Sequence, residues 1–267
     1  MTGYARCVPY AYADDAVAIS YDVRGDGERA LLLLAGQSNN HQWWDSVRAD
    51  FAAHVTTIAL DWRGVAGSDK PDDDSYSIEQ FAADAVAVLD SVGWERTHIY
   101  GTSMGGRVAQ VLAAEYPERV DRLVLGCTSP GDRHGVRRQS DVNVALTQHD
   151  GAAVRRALLE LMYTPEWLAT HDGPFHTIGD RGMPAYVRNG HLKASRRHDA
   201  WDLLPRIAAS TLVLHGADDR LSPAANARLI ADRIPDARCE IIDGARHAYF
   251  EEFRDVASPL VVDFLDG

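Results

Sequence analysis

The stretch Thr97-His98-Ile99-Tyr100-Gly101-Thr102-Ser103-Met104-Gly105 decides how this chain is read. Its first four residues have the character of a short buried strand. After it, Met104, Val108, Val111 and Leu112 recur at i, i+4, i+7 and i+8, the spacing of one helix face. Ser103 therefore stands on a strand-to-helix turn, where the backbone is strained and the hydroxyl is pushed out at the top of the sheet. Glycine flanks it because a Cβ at either place would collide with the neighbouring strand or helix. The helix that follows points its first amides at negative charge developing beside the serine. Gly-x-Ser-x-Gly is a weak pattern alone; in this setting it marks a candidate nucleophile.

Outward from that turn, the chain alternates strands and helices. Val17 to Val23 alternates as a strand does, and Gly25-Asp26-Gly27 is a turn. Leu31-Leu32-Leu33-Leu34 is an apolar run too short for a buried helix, which suits a central strand covered on both faces. A helix is expected around Trp44 to Phe51, a strand over Val55 to Leu60, and a loop from Asp61 to Pro71. Ser77 caps a helix whose apolar face is Ile78, Phe81, Ala82, Ala85, Val88 and Leu89. Pro117 closes the helix after Ser103. Strands follow at Leu123–Leu125, Thr211–Leu214 and Cys239–Ile242. Ser222 and Pro223 are read as a helix start, and a last helix begins near Tyr249. Such alternation means an α/β fold with a doubly wound, mostly parallel sheet.

One interval breaks the rhythm. Between Pro130 and Pro205 no buried strand is evident, yet Val154, Leu158, Leu161 and Met162 share a helix face. Two neighbouring parallel strands need only a crossover of a dozen or more residues. Residues 131–205 are therefore expected to form a helical cap over the strand ends, with 1–130 and 206–267 forming the core.

Composition sets the outer bounds. A chain of 267 residues with 46% apolar and 25% charged residues reads as one soluble globular unit. Its net charge of −12 argues against nucleic acid and anionic membrane as partners. Cys7, Cys127 and Cys239 are scattered and odd in number, as free thiols in a reducing compartment are. No signal-peptide pattern and no apolar run long enough for a membrane span is found, so a cytoplasmic protein is expected. The oligomeric state is left open, a homo-oligomer included.

A serine hydroxyl needs a base, and the base needs an orienting acid. Of eleven histidines, His247 is preferred, because Asp243-Gly244-Ala245-Arg246-His247 directly follows a strand on the edge that carries Ser103. His41 is the runner-up. Asp218 and Asp219 both follow the Thr211–Leu214 strand and both qualify as the acid; Asp132 ranks lower. The chain order Ser, Asp, His suits such a site. The cap histidines have no zinc-like spacing, and neither metal nor cofactor is expected.

From Val17 to Leu265 the chain resembles the α/β-hydrolase superfamily, on Ala35-Gly36-Gln37, Asp61-Trp62-Arg63-Gly64, the serine turn, Gly216-x-x-Asp219 and Gly244-x-x-His247. It is most similar to the small capped esterase and lactonase branch, including enol-lactone hydrolases and cofactor-free haloperoxidase-like esterases. The resemblance selects Asp219 over Asp218, and implies oxyanion donors at the backbone amides of Gln37 and Met104. It implies hydrolysis of a small-molecule ester or lactone through an acyl-enzyme on Ser103. Thioesters and carbon–carbon bonds are alternatives with the same triad, and a non-catalytic ligand-binding receptor is the competing class. Trp43 and Trp44 beside Gln37, and Trp167, Phe175, Met183 and Tyr186 in the cap, are candidate substrate contacts; one of the paired tryptophans is expected in the core. Ala35, Ala66 and Arg246 depart from the common pattern, which has histidine at the first position and glycine at the other two.

Overall fold

A computed structural model describes residues 9–52 and 54–267; Cys7 lies outside them. Eight strands form one sheet: β1 Tyr10–Tyr12, β2 Ala18–Arg24, β3 Ala30–Leu34, β4 Thr56–Leu60, β5 Thr97–Thr102, β6 Val120–Gly126, β7 Ser210–Gly216 and β8 Ala237–Ile242. Among the described residues ten α-helices accompany them: α1 Arg48–Ala52, α2 Ile78–Ser91, α3 Met104–Glu115, α4 Ser140–Leu146, α5 Gly151–Met162, α6 Pro165–Leu168, α7 Ala185–Arg197, α8 Ala225–Ala231, α9 Tyr249–Glu252 and α10 Arg254–Asp266. The strand order is β1-β2-β4-β3-β5-β6-β7-β8. The β1–β2 and β2–β4 pairs are antiparallel, and every later pair is parallel.

The leucine run explains why the sheet is covered on both sides. All five residues of β3 are buried, and alternate side chains enter opposite layers. Leu32 and Leu34 join Phe81, Val88, Val108, Leu112 and Ile230 from α2, α3 and α8. Leu31 and Leu33 join Phe51, Val261, Phe264 and Leu265 from α1 and α10. One strand thus contributes to two cores.

The register sets the functional edge. Leu34 of β3 lies opposite Gly101, Thr102 opposite Gly126, Gly126 opposite Leu214, and Gly216 opposite Ile242. The carboxyl ends of β3, β5, β6, β7 and β8 therefore share one rim, the place where open α/β sheets bind ligands. Between β6 and β7 the chain runs through α4, α5, α6 and α7, with an isolated antiparallel bridge from Gly131 to Asp199. Among the described residues no helix is long and apolar enough to cross a membrane.

Three local readings need correction. The segment expected as a helix over Trp44–Phe51 splits into a 3-10 turn at His41–Trp44, capped by Asn40, and the short α1. The Asn40 side chain starts the turn earlier by accepting the Gln42 N–H (2.9 Å). Helix α8 begins at Ala225, beyond Ser222 and Pro223. Asp219 Oδ1 already accepts the amides of Leu221 (2.8 Å) and Ser222 (2.9 Å), which holds that stretch as a turn around the carboxylate. The final helix is likewise divided, into α9 and α10.

Candidate active site

Ser103 closes β5 and opens α3 with φ 56 and ψ −118, a left-handed backbone that a side chain adopts at a cost of about 1–3 kcal/mol. The cost is offset by tight surroundings. A Cβ on Gly101 would stand 2.3 Å from the Gly105 carbonyl oxygen, and one on Gly105 would stand 2.1 Å from that of Leu34. Glycine at both positions lets α3 start directly against β5 and the end of β3. The Ser103 amide donates to Gly126 O (2.9 Å), and Thr128 Oγ1 donates to Ser103 O (2.8 Å), so the turn is tied to β6. Ser103 itself stays partly exposed.

Asp219 and His247 come together across the β7 and β8 loops. His247 Nδ1 donates to Asp219 Oδ2 at 2.7 Å, with both residues buried. Gly216 makes the crossing feasible, since a Cβ there would stand 2.4 Å from Ala245 O. Asp218 is exposed and its amide donates to Ala245 O (2.9 Å). Burial acts to raise the Asp219 carboxyl, but the His247 charge and hydrogen bonds from His215 and His247 hold it down to about 2. Burial acts to lower His247, and the Asp219 carboxylate together with the neighbouring Cys127 outweighs it, raising the imidazole well above its ordinary value.

Two neighbours were not singled out from the sequence. His215 Nε2 lies 2.7 Å from Ser222 O and 3.2 Å from Asp219 Oδ2, so the carboxylate sits between two histidines. Only the four-residue spacing of His215 from Asp219 hinted at the contact. Cys127 stands at the end of β6 with φ 39, fully buried, its thiol beside the His247 ring. Burial pushes that thiol up, which keeps it protonated.

Gln37 lies on the loop after β3, whose start packs against α3 where Gly105 meets Leu34 O and Ala35 O. Met104 is the first residue of α3 and is buried. Both loop and helix start therefore flank Ser103. Trp43 supports this corner from below: its indole lies under Gly36, and its Nε1 donates to Thr102 Oγ1 (2.9 Å). Trp43 stacks on Phe250, and Trp44 packs on Tyr100 and Phe250. Both indoles are in the core, where the sequence had placed one.

The other candidates are dispersed. Trp167 stacks between Tyr163 and His171, and with Phe175 it borders a cavity of about 630 Å³ shared with Glu251 and Glu252. Met183 is buried in the core layer beside Val187, and the exposed Tyr186 donates its hydroxyl to Lys70 O (2.9 Å). His41, the second-ranked base, is bonded through Nδ1 to Asp61 Oδ1 (2.7 Å), separate from Asp219. Asp132 is exposed. Among the described residues no group of three or more His, Cys, Asp or Glu is placed to hold a metal ion.

Two departures from the common pattern acquire a physical meaning. Ala66 has φ 42, the left-handed region that favours glycine. Arg246 reaches from the His247 loop to the end of α5, donating to Tyr163 O (2.9 Å) and to Glu160 O. Beside it, the Ala248 amide donates to Met162 O (2.9 Å).

Residues 29–253 match the family model of the alpha/beta hydrolase fold, and the chain belongs to that family. It is an enzyme of the hydrolase class. RutD of Variovorax paradoxus, which carries the name of a carbamate hydrolase, is 31% identical over 92% of this chain and 96% of its own length. A hydrolase from Pseudomonas aeruginosa superposes with a TM-score of 0.84 at 26% identity, covering 99% of this chain and 100% of that one. The enol-lactonase of Burkholderia xenovorans gives 0.80 at 25% identity, covering 97% and 100%.

Proposed function

We propose that the chain is a serine hydrolase that cleaves a carboxylic ester or lactone, with Ser103 as nucleophile, His247 as base and Asp219 as orienting acid. The observation that carries the reading is the buried His247–Asp219 bond of 2.7 Å on the rim where strained Ser103 is presented. With Asp219 ionised and accepting from Nδ1, the imidazole offers Nε2 as a proton acceptor.

In the first step Ser103 Oγ bonds to the carbonyl carbon as its proton passes to His247, and the carbonyl π electrons move onto oxygen. The backbone amides of Met104 and Gln37 donate to that oxyanion, aided by the α3 N-terminus. The oxyanion collapses, the bond to the alkoxide breaks, and His247 returns its proton to the leaving oxygen. Water then adds to the acyl-enzyme by the same route and releases the acid. Residues 131–205 act as a cap over this rim, on a core of 1–130 and 206–267.

A carbamate is the second reading, favoured by the full-length likeness to a relative named for that activity. Its carbonyl lies between nitrogen and oxygen and would meet the same three side chains. Thioester and carbon–carbon cleavage would use them too. A panel of p-nitrophenyl esters, lactones and aryl carbamates tests the class. Turnover of at least one ester or lactone is expected, with Ser103→Ala slower by about 10³-fold or more. Wild-type turnover in that variant would end the reading.

A further inference from the structure

The loop that would carry the Gln37 amide is built from an uncomfortable turn. The Asn39 amide donates back to Gly36 O (3.3 Å), which puts Gln37 and Ser38 at the turn's centre. Ser38 has φ 62, a left-handed backbone without glycine to ease it. Such a conformation persists only where surrounding structure over-determines it. Here the surroundings are one side chain of the loop and one corner of the helical interval.

Asn39 is buried and bridges the two. Its Nδ2 donates to Gln37 O (2.8 Å), and its Oδ1 accepts the Gly179 N–H (2.8 Å). The Asp180 amide donates to Ser38 O (2.7 Å), and Asn40 Nδ2 donates to Asp180 Oδ2 (3.1 Å). Asp180 Oδ1 in turn accepts the Gly182 N–H (2.6 Å), so the carboxylate is fixed at both ends. Gly179 and Asp180 stand about 140 residues from the loop in sequence. The carbonyls of Gln37 and Ser38 thus both have partners, one of them supplied by the 131–205 interval.

We infer that Asn39 and Asp180 are positioning residues for the oxyanion site: they hold the 36–40 turn so that the Gln37 amide faces Ser103. The inference rests on the serine-hydrolase reading and extends it, because it makes the docking of the interval set the efficiency of the chemical step. Ground-state binding depends on pocket walls, whereas the amide's aim matters once the oxygen carries charge. The expected signature is therefore a fall in kcat with KM nearly unchanged.

The test uses Asn39→Ala and Asp180→Asn in the full chain, with p-nitrophenyl butyrate as substrate and an alkyl trifluoromethyl ketone as inhibitor. When the ketone binds, Ser103 Oγ adds to its carbonyl carbon, the serine proton passes to His247, and the carbonyl oxygen becomes an oxyanion. Asn39→Ala is expected to lose about tenfold to a hundredfold in kcat, with KM within about threefold. Its affinity for the ketone should fall in parallel. Asp180→Asn, which cannot accept from both Gly182 and Asn40, is expected to lose about threefold to tenfold in the same pattern. Unchanged kcat and ketone affinity, or a change confined to KM, overturns the positioning role and leaves Ser103 chemistry standing. If Asn39→Ala does not fold, Asp180→Asn decides by the same criteria. A wild-type protein that neither hydrolyses the ester nor binds the ketone removes the serine-hydrolase reading and this inference with it.

Discussion

The sheet rim and the helical interval of residues 131–205 differ in how far packing, rather than directional bonds, holds them. At the rim, β3 is wholly buried, and the loops after β5, β7 and β8 are locked by backbone contacts that glycine alone permits. In the interval, α5 spans twelve residues yet fully buries only Leu161 and Met162. The interval enters the two cores at Met162, Tyr163, Met183 and Val187, and polar contacts add to that hold: Arg246 to Tyr163, Asp180 to Ser38, His191 Nε2 to Arg63 O (3.0 Å) and Tyr186 to Lys70. Apolar packing dominates at the rim, whereas packing at a few residues and directional bonds together attach the interval. Regions with few buried apolar contacts open at lower free energy, so α5 is the part of the interval expected to open most readily.

The largest effect that could break this contrast lies at the rim. Asp219→Asn should lower kcat by about 10³- to 10⁴-fold, because the amide can stabilise the wrong imidazole tautomer, while Asp218→Asn stays within about twofold. Steady-state kinetics on both variants check this, and the reverse ranking would reassign the acid. Next comes packing. Leu33→Ala should lower the unfolding free energy by about 2–5 kcal/mol, against about 1 kcal/mol or less for half-buried Leu158→Ala in α5. Urea titrations with equal costs at the two sites would erase the distinction drawn here.

The pH dependence is expected to be smaller and to run in opposite senses for the two partners. Asp219, depressed from 3.8 to about 2, stabilises the fold above its unfolded value, and that contribution fades as pH falls from there through about 2. His247, raised above 6.5, stabilises below that value and loses its share as pH rises through the raised one. Catalysis needs the neutral ring, so the acid limb of kcat/KM should lie above pH 6.5 and move acidward in Asp219→Asn. A limb below 6.5 in the wild type would contradict the pairing. The smallest effect is Ala66→Gly, which relieves a left-handed alanine and should stabilise by about 1 kcal/mol, read as a small rise in Tm.

Much of the rim was legible because its signals are local. The leucine run, the glycines around Ser103 and the helix spacing after it each follow from contacts within a few residues, and the sheet confirms them. The antiparallel β1 escaped notice because three residues with one buried side chain leave no periodicity to read. The α8 start was misplaced because Ser222 looks like a cap, while the carboxylate that claims its amide lies three residues back. His215 and Cys127 were hidden for other reasons. His215 reaches Asp219 from only four residues back, a contact that a strand pattern does not reveal; the nearness of Cys127 to His247 comes from register between strands far apart in sequence. The Asn39–Gly179 contact joins two loops 140 residues apart, which no local pattern reveals.

Every step of the proposed chemistry depends on Ser103 Oγ being the atom that attacks. Intact-protein and peptide mass spectrometry after treatment with a fluorophosphonate probe measures this directly. One adduct per chain is predicted, carried by the Ser103 peptide, absent from Ser103→Ala and formed far more slowly in His247→Ala. An unlabelled native protein, or label on another residue at wild-type rate, would contradict it.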